Sequence, residues 1–195
     1  GAFNRTDVLR RTQVGPVGSV RLGLWKAAAR LLVTMAVCAV TCGIGLAAFG
    51  YTLEGVPAGA VALMLAAAFA LALVPLAVGF LLGQLGVGEA TTNAVGNIGG
   101  MVMAFMGGAW ISLDLLGAEI QTAAKFFPTY WYTQAVTESA HLAEVTWESA
   151  APILGNLGII VLFAAAIFAV ALAAGRVRMR SAEAGGNAAA SLAGA

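Results

Sequence analysis

The chain has 195 residues, of which 61% are hydrophobic and only 10% charged, and its formal net charge is +1. Soluble domains carry about 25% charged residues, so the composition excludes a soluble enzyme, a nucleic-acid binder and a disordered protein. Residues 31–53, 55–88, 90–113 and 149–175 contain no Asp, Glu, Lys or Arg. A helix needs roughly 20 apolar residues to cross a bilayer, so each stretch is long enough to do so. Their apolar character is continuous rather than alternating, which argues against a β-barrel.

In chain order, segment 1–28 holds Arg5, Arg10, Arg11, Arg21 and Lys26. It reads as a short helix over 7–14, a break at Gly15 and Pro16, and an amphipathic helix leading into the membrane. That segment can anchor on anionic lipid or dock a cytoplasmic partner. Four spans follow, at 29–50, 58–83, 92–113 and 152–175. Cys38 and Cys42 share a face of the first, forming neither a disulfide framework nor a complete metal site. Pro75 kinks the second. Gly79 and Gly83, like Gly96 and Gly100, stand four apart, a spacing that lets another helix approach closely. Asn93 and Asn97 place amides near the start of the third span, where they serve an interhelical hydrogen bond or line a pathway.

Between the third and last spans, segment 114–151 carries Asp114, Glu119, Glu138, Glu144 and Glu148 against one Lys125. Helical spacing over 119–127, a stop at Pro128 and a second helix over 129–142 predict a helix pair. The aromatic cluster of Phe126, Phe127, Tyr130, Trp131 and Tyr132 suits a membrane interface or a re-entrant position. Ser149 and Pro152 suit the cap and first turn of the last span. Residues 176–195, rich in Ala and Gly, read as a disordered tail.

The placement of the basic residues orients these elements. Nine of the ten precede the first charge-free stretch or follow the last, as Arg5, Arg10, Arg11, Arg21, Lys26 and Arg30, then Arg176, Arg178 and Arg180. Excess Lys and Arg mark cytoplasmic segments, so both ends are expected in the cytoplasm and the acidic helix pair outside. The expected fold is thus an all-α integral membrane protein with four transmembrane helices and an outer helix pair before the last. Chemistry is scarce: no G-x-x-x-x-G-K-[ST] occurs and His141 is the only histidine. No residue therefore recommends itself as catalytic or metal-binding.

Two spaced motifs resemble those of the membrane permease of type-2 ATP-binding-cassette (ABC) exporters. The first is Leu-x-Arg-x-x-x-x-Pro-Val with a following Lys, matched by Leu9, Arg11, Pro16, Val17 and Lys26. The second is carried by Gly108, Trp110, Ile111, Leu113, Ile120, Phe127, Pro128, Tyr130 and Trp131, with Ser112 and Gly117 where the family commonly has proline. The resemblance covers about residues 5–175 and implies the carboxy-terminal four spans of a six-span permease. It also implies a plasma (inner) membrane location and efflux of a substrate driven by ATP hydrolysis on a separate ABC ATPase subunit. ATP and magnesium would sit on that partner and no cofactor on this chain, which would pair with a second permease copy or a paralogue. By the same resemblance Asp7, Leu9, Arg10, Arg11 and Pro16 form the ATPase-coupling region. Asn93, Gly96, Asn97, Gly100, Met101 and Phe105 form a pathway or helix interface. Gly108, Trp110, Gly117, Phe127, Pro128, Tyr130 and Trp131 form an outer gate. The alternative is a scaffold, or an inactive permease fragment, that does not transport.

Overall fold

The computed structural model describes residues 19–193, and all of its regular structure is helical. Six α-helices follow in order: α1 (Ser19–Phe49), α2 (Ala58–Leu85), α3 (Glu89–Met106), α4 (Ala118–Ala124), α5 (Pro128–Ala140) and α6 (Trp147–Ala193). Short 3-10 turns at Gly50–Leu53 and Leu113–Leu115 join α1 to α2 and α3 to α4. Three stretches are long and apolar enough to cross a membrane: Ala28–Leu53, Ala58–Leu85 and Trp147–Arg178.

The third expected span differs. Helix α3 has 18 residues, a rise of about 27 Å, and ends at Met106 rather than at 113. Apolar residues continue past that point, but Gly108 takes φ +78, a left-handed conformation that side chains resist and glycine accepts. Backbone conformation, not polarity, stops the helix.

The core is a three-helix packing of α2, α5 and α6. On α2 the enclosed residues Ala60, Ala67, Ala70, Val74 and Ala77 recur in steps that keep them on one face. Opposite them α6 places Ala150, Ile153, Ile160, Ala164 and Ala171, and α5 adds Ala135 and Ser139. In lipid, contacts between helices gain little from hydrophobicity, so small residues that let backbones approach supply the attraction through close packing. The larger residues Met103, Trp131, Tyr132 and Ile167 seal the edges of this core. The expected Gly79 and Gly83 contacts are not what joins these helices. A Cβ at Gly79 would meet nothing, and one at Gly83 only Arg30 Nη1 at 3.9 Å. Alanines perform that packing instead.

The ends of α6 depart from the sequence reading in two ways. Its amino-terminal cap is Thr146 rather than Ser149: Ser149 N–H donates to Thr146 Oγ1 at 3.3 Å and Thr146 N–H donates to Ser149 Oγ at 3.0 Å. This reciprocal pair starts the helix one turn earlier, leaving Pro152 inside it. At the other end the helix runs on to Ala193, where a disordered tail was expected. Ala, Arg, Met and Glu in that stretch are strong helix formers, and no proline interrupts them.

Candidate functional site

The helix pair expected over 119–127 and 129–142 is present as α4 and α5, and its join to α3 is closely built. Pro128 opens α5 at its first helical position, where the missing N–H has no helical partner to lose. The start of α5 lies against the end of α3. A Cβ at Gly107 would come within 2.8 Å of Thr129 Cβ, and the Thr133 hydroxyl donates to the Gly107 carbonyl. Gly107 is therefore required for close approach, and Gly108 for the reversal that follows.

Further bonds hold the turn. Gln121 Nε2 donates to the carbonyls of Leu113 at 3.0 Å and Leu116 at 2.9 Å, tying α4 to the preceding 3-10 turn. Trp131 Nε1 donates to the Lys125 carbonyl at 2.9 Å across the Pro128 break. Tyr130 and Trp131 meet edge to face with centroids 5.3 Å apart. Phe127 is half-buried, Pro128 buried and Trp110 exposed. Gly117 is another matter: its φ of −58 suits any residue, and a Cβ there would meet nothing within 4 Å. Most of the expected gate set thus gathers around one turn, without any steric demand at Gly117.

The expected pathway set lies along α3, which has no fully buried residue. Asn93, Gly96, Asn97, Gly100 and Met101 are exposed and Phe105 is half-buried. Met103, which the sequence reading passed over, turns instead toward the core. Asp7, Leu9, Arg10, Arg11 and Pro16 lie outside the described residues.

Two polar contacts were not foreseen. Asn156, 9% exposed within α6, donates from Nδ2 to Glu138 Oε2 at 3.1 Å. Buried amides and carboxylates require partners, and this pair ties α5 to the last span. Its signal was present as an amide in an otherwise apolar stretch, but nothing local paired it with a residue 18 positions away. At the opposite end of α2, Arg178 Nη1 donates to the Gln84 carbonyl at 3.1 Å. Gly86, at φ +67, ends α2, and a Cβ there would collide with the Arg178 guanidinium. A cation at a helix carboxy terminus complements the exposed carbonyls.

Beside α5 the helices leave an open cleft of about 610 Å³ between α1, α2, α3 and α5. Pro75, Cys38, Cys42, Met103, Thr129 and Tyr132 lie on its wall. Thr129 Oγ1 is buried there without a hydrogen-bond partner. An apolar cleft of this size with a few polar groups has the dimensions of a small-ligand site.

Long apolar helices, a broken third helix and a hairpin folded back against the spans define a multi-pass helical membrane protein. The family model for ABC-2 family transporter proteins matches residues 4–173, and the chain belongs to that family. It is accordingly a membrane component of an ABC transporter, of the permease kind, and not the catalytic part. No curated protein and no solved structure matches the chain.

Proposed function

We propose that this chain is the permease subunit of an ABC exporter in the plasma membrane, moving its substrate outward with energy from ATP hydrolysed, with magnesium, on a separate ATPase subunit. The observation that carries the reading is the family match over 4–173, on a chain whose broken helix and returning hairpin stand at the second motif. In this reading α3, completed by the segment after Met106, is the third of four crossings. Both ends then lie in the cytoplasm, as the basic clusters favour. Arg10 and Arg11 contact the ATPase, and the exposed face of α3 meets a second permease copy or lines the pathway. ATP binding on the partner biases the spans between two arrangements, and substrate moves because it binds them unequally. The turn around Gly108, Phe127 and Pro128 forms the outer gate.

The test is affinity capture of the tagged chain from solubilised native membrane, with mass spectrometry of its companions. An ABC ATPase should be recovered, and Arg10→Glu with Arg11→Glu should release it. A folded chain that brings no ATPase contradicts the proposal.

A further inference from the structure

Gly79 and Gly83 join no helices, yet they share a face of α2 with Ala68, Ala72 and Pro75. Gly79 and Pro75 line an open cleft of about 510 Å³ against Arg30, Val33 and Thr34 of α1. Val33, Thr34 and Pro75 also line the cleft of about 610 Å³ that reaches Cys42 and Ala68. The two clefts are therefore one groove along the seam between α1 and α2. Small residues on α2 hollow it out: a Cβ at Gly79 would meet nothing within 4 Å.

Charge distinguishes one end of the groove from the other. Arg30 is the last charge before the stretch 31–53, so it marks the membrane surface and the groove descends from it into hydrocarbon. Its guanidinium is exposed, with Nη1 3.9 Å from where a Cβ on Gly83 would stand. Among the described residues no hydrogen bond or ion pair engages it. From the other side Arg178 of α6 reaches the same final turn of α2, at the Gln84 carbonyl. Arg30, Arg176 and Arg178 outnumber Glu89, the carboxylate that opens α3 beyond this turn. The rim is thus cationic and the depth apolar.

Length narrows the occupant. From Arg30 to Cys42, α1 rises about 18 Å, close to one leaflet of a hydrocarbon core about 30 Å thick. A further spanning helix would run through both leaflets and bring no anion to Arg30, whereas a lipid of one leaflet matches the groove at both ends. Guanidinium groups bind phosphate through charge-assisted hydrogen bonds, and basic pockets between spans hold anionic head groups. We propose that the α1–α2 groove binds one anionic phospholipid, with an acyl chain along Val33, Thr34 and Pro75 and its phosphate at Arg30 and Arg178. Because it binds only the assembled seam, the lipid favours the arrangement in which α1 lies against α2.

The site is independent of the transport reading. It is tested on the full chain in detergent, titrated with phosphatidylglycerol or phosphatidylcholine of identical acyl chains and read by native mass spectrometry. One phosphatidylglycerol should be retained per chain, with an affinity on the order of 10-fold above that of phosphatidylcholine. Glycerol phosphate, the anion without chains, should not compete. Arg30→Gln should lower phosphatidylglycerol affinity by about 5-fold and leave phosphatidylcholine unchanged. Gly79→Leu, which fills the floor, should weaken both, while Gly43→Leu, equally unobstructed on α1 but outside the groove, should change neither. Arg30 is exposed, so its variant keeps the test valid if Gly79→Leu does not fold. A phosphatidylglycerol with a photoreactive group midway along its acyl chain should label α1 between Val33 and Cys42 or α2 between Ala68 and Gly79. Equal retention of the two lipids, competition by glycerol phosphate, an unchanged Arg30→Gln, labelling confined to α3, or release of a bound protein rather than lipid by Gly79→Leu would each overturn the proposal.

Discussion

Helices α2, α5 and α6 meet through enclosed residues such as Ala67, Ala135, Ile153 and Ile160, whereas α3 encloses none and α1 encloses none among its described side chains. Helix α1, like α2 and α6, is apolar enough to cross a membrane. What separates them is side-chain size and placement: α2 turns alanines inward, while α1 spreads Leu32, Val37, Val40, Ile44 and Phe49 outward. In water an amphipathic helix shows its buried face by polarity. In lipid the exposed face is as apolar as the enclosed one, and the inner face is marked by small residues that permit close approach. The comparison assigns stability to one group of helices and leaves the other a surface for lipid or a partner subunit.

The largest expected effect comes from the core. Ile160→Ala leaves a cavity at a fully enclosed position; because the unfolded helix remains in lipid, the packing loss dominates, at about 1–3 kcal/mol. Val40→Ala on α1 should change stability by less than about 0.5 kcal/mol. Thermal unfolding in one detergent compares them, and equal losses would erase the distinction between the two groups.

Gly107→Ala should cost about 1–2 kcal/mol, because its Cβ meets Thr129 Cβ at 2.8 Å. Gly117→Ala, with nothing near its Cβ, should be neutral or slightly stabilising in the same assay. A reversed order would place the tight contact elsewhere in the turn.

A comparable effect is expected where α5 meets α6. Asn156→Leu strands the half-buried Glu138 carboxylate and should destabilise by about 1–2 kcal/mol. Adding Glu138→Leu should restore part of that loss. A double-mutant cycle reads the coupling directly, and additive losses would mean that the 3.1 Å contact contributes nothing. At the exposed end of α2, Arg178→Ala should cost only about 0.5 kcal/mol, and less at high salt. A salt series of unfolding curves distinguishes this from a packing effect.

Much of this was legible from residues. The charge-free stretches located the apolar helices, and Pro128 with its flanking periodicity separated α4 from α5 to within a few positions. The core face was harder to see, because glycine pairs advertise close approach more conspicuously than alanines do, and in α2 the alanines made the contact. The end of α3 was hidden because 107–113 stays apolar and only the conformation of Gly108 breaks the helix. The extension of α6 follows from the helix propensity of its alanines, which low complexity does not reveal. Glu138 with Asn156 is a tertiary meeting that no local spacing encodes.

The division between an enclosed hairpin and exposed outer helices is tested most directly by oxygen accessibility of spin labels, placed one at a time in a background with Cys38 and Cys42 replaced by serine. Labels at Val40 and Ile98 should collide freely with dissolved oxygen in the bilayer, and a label at Ala135 on α5 should be shielded. An Ala135 label as accessible as the one at Val40 would mean that α5 does not pack among the spans, and would contradict the architecture on which the permease reading stands.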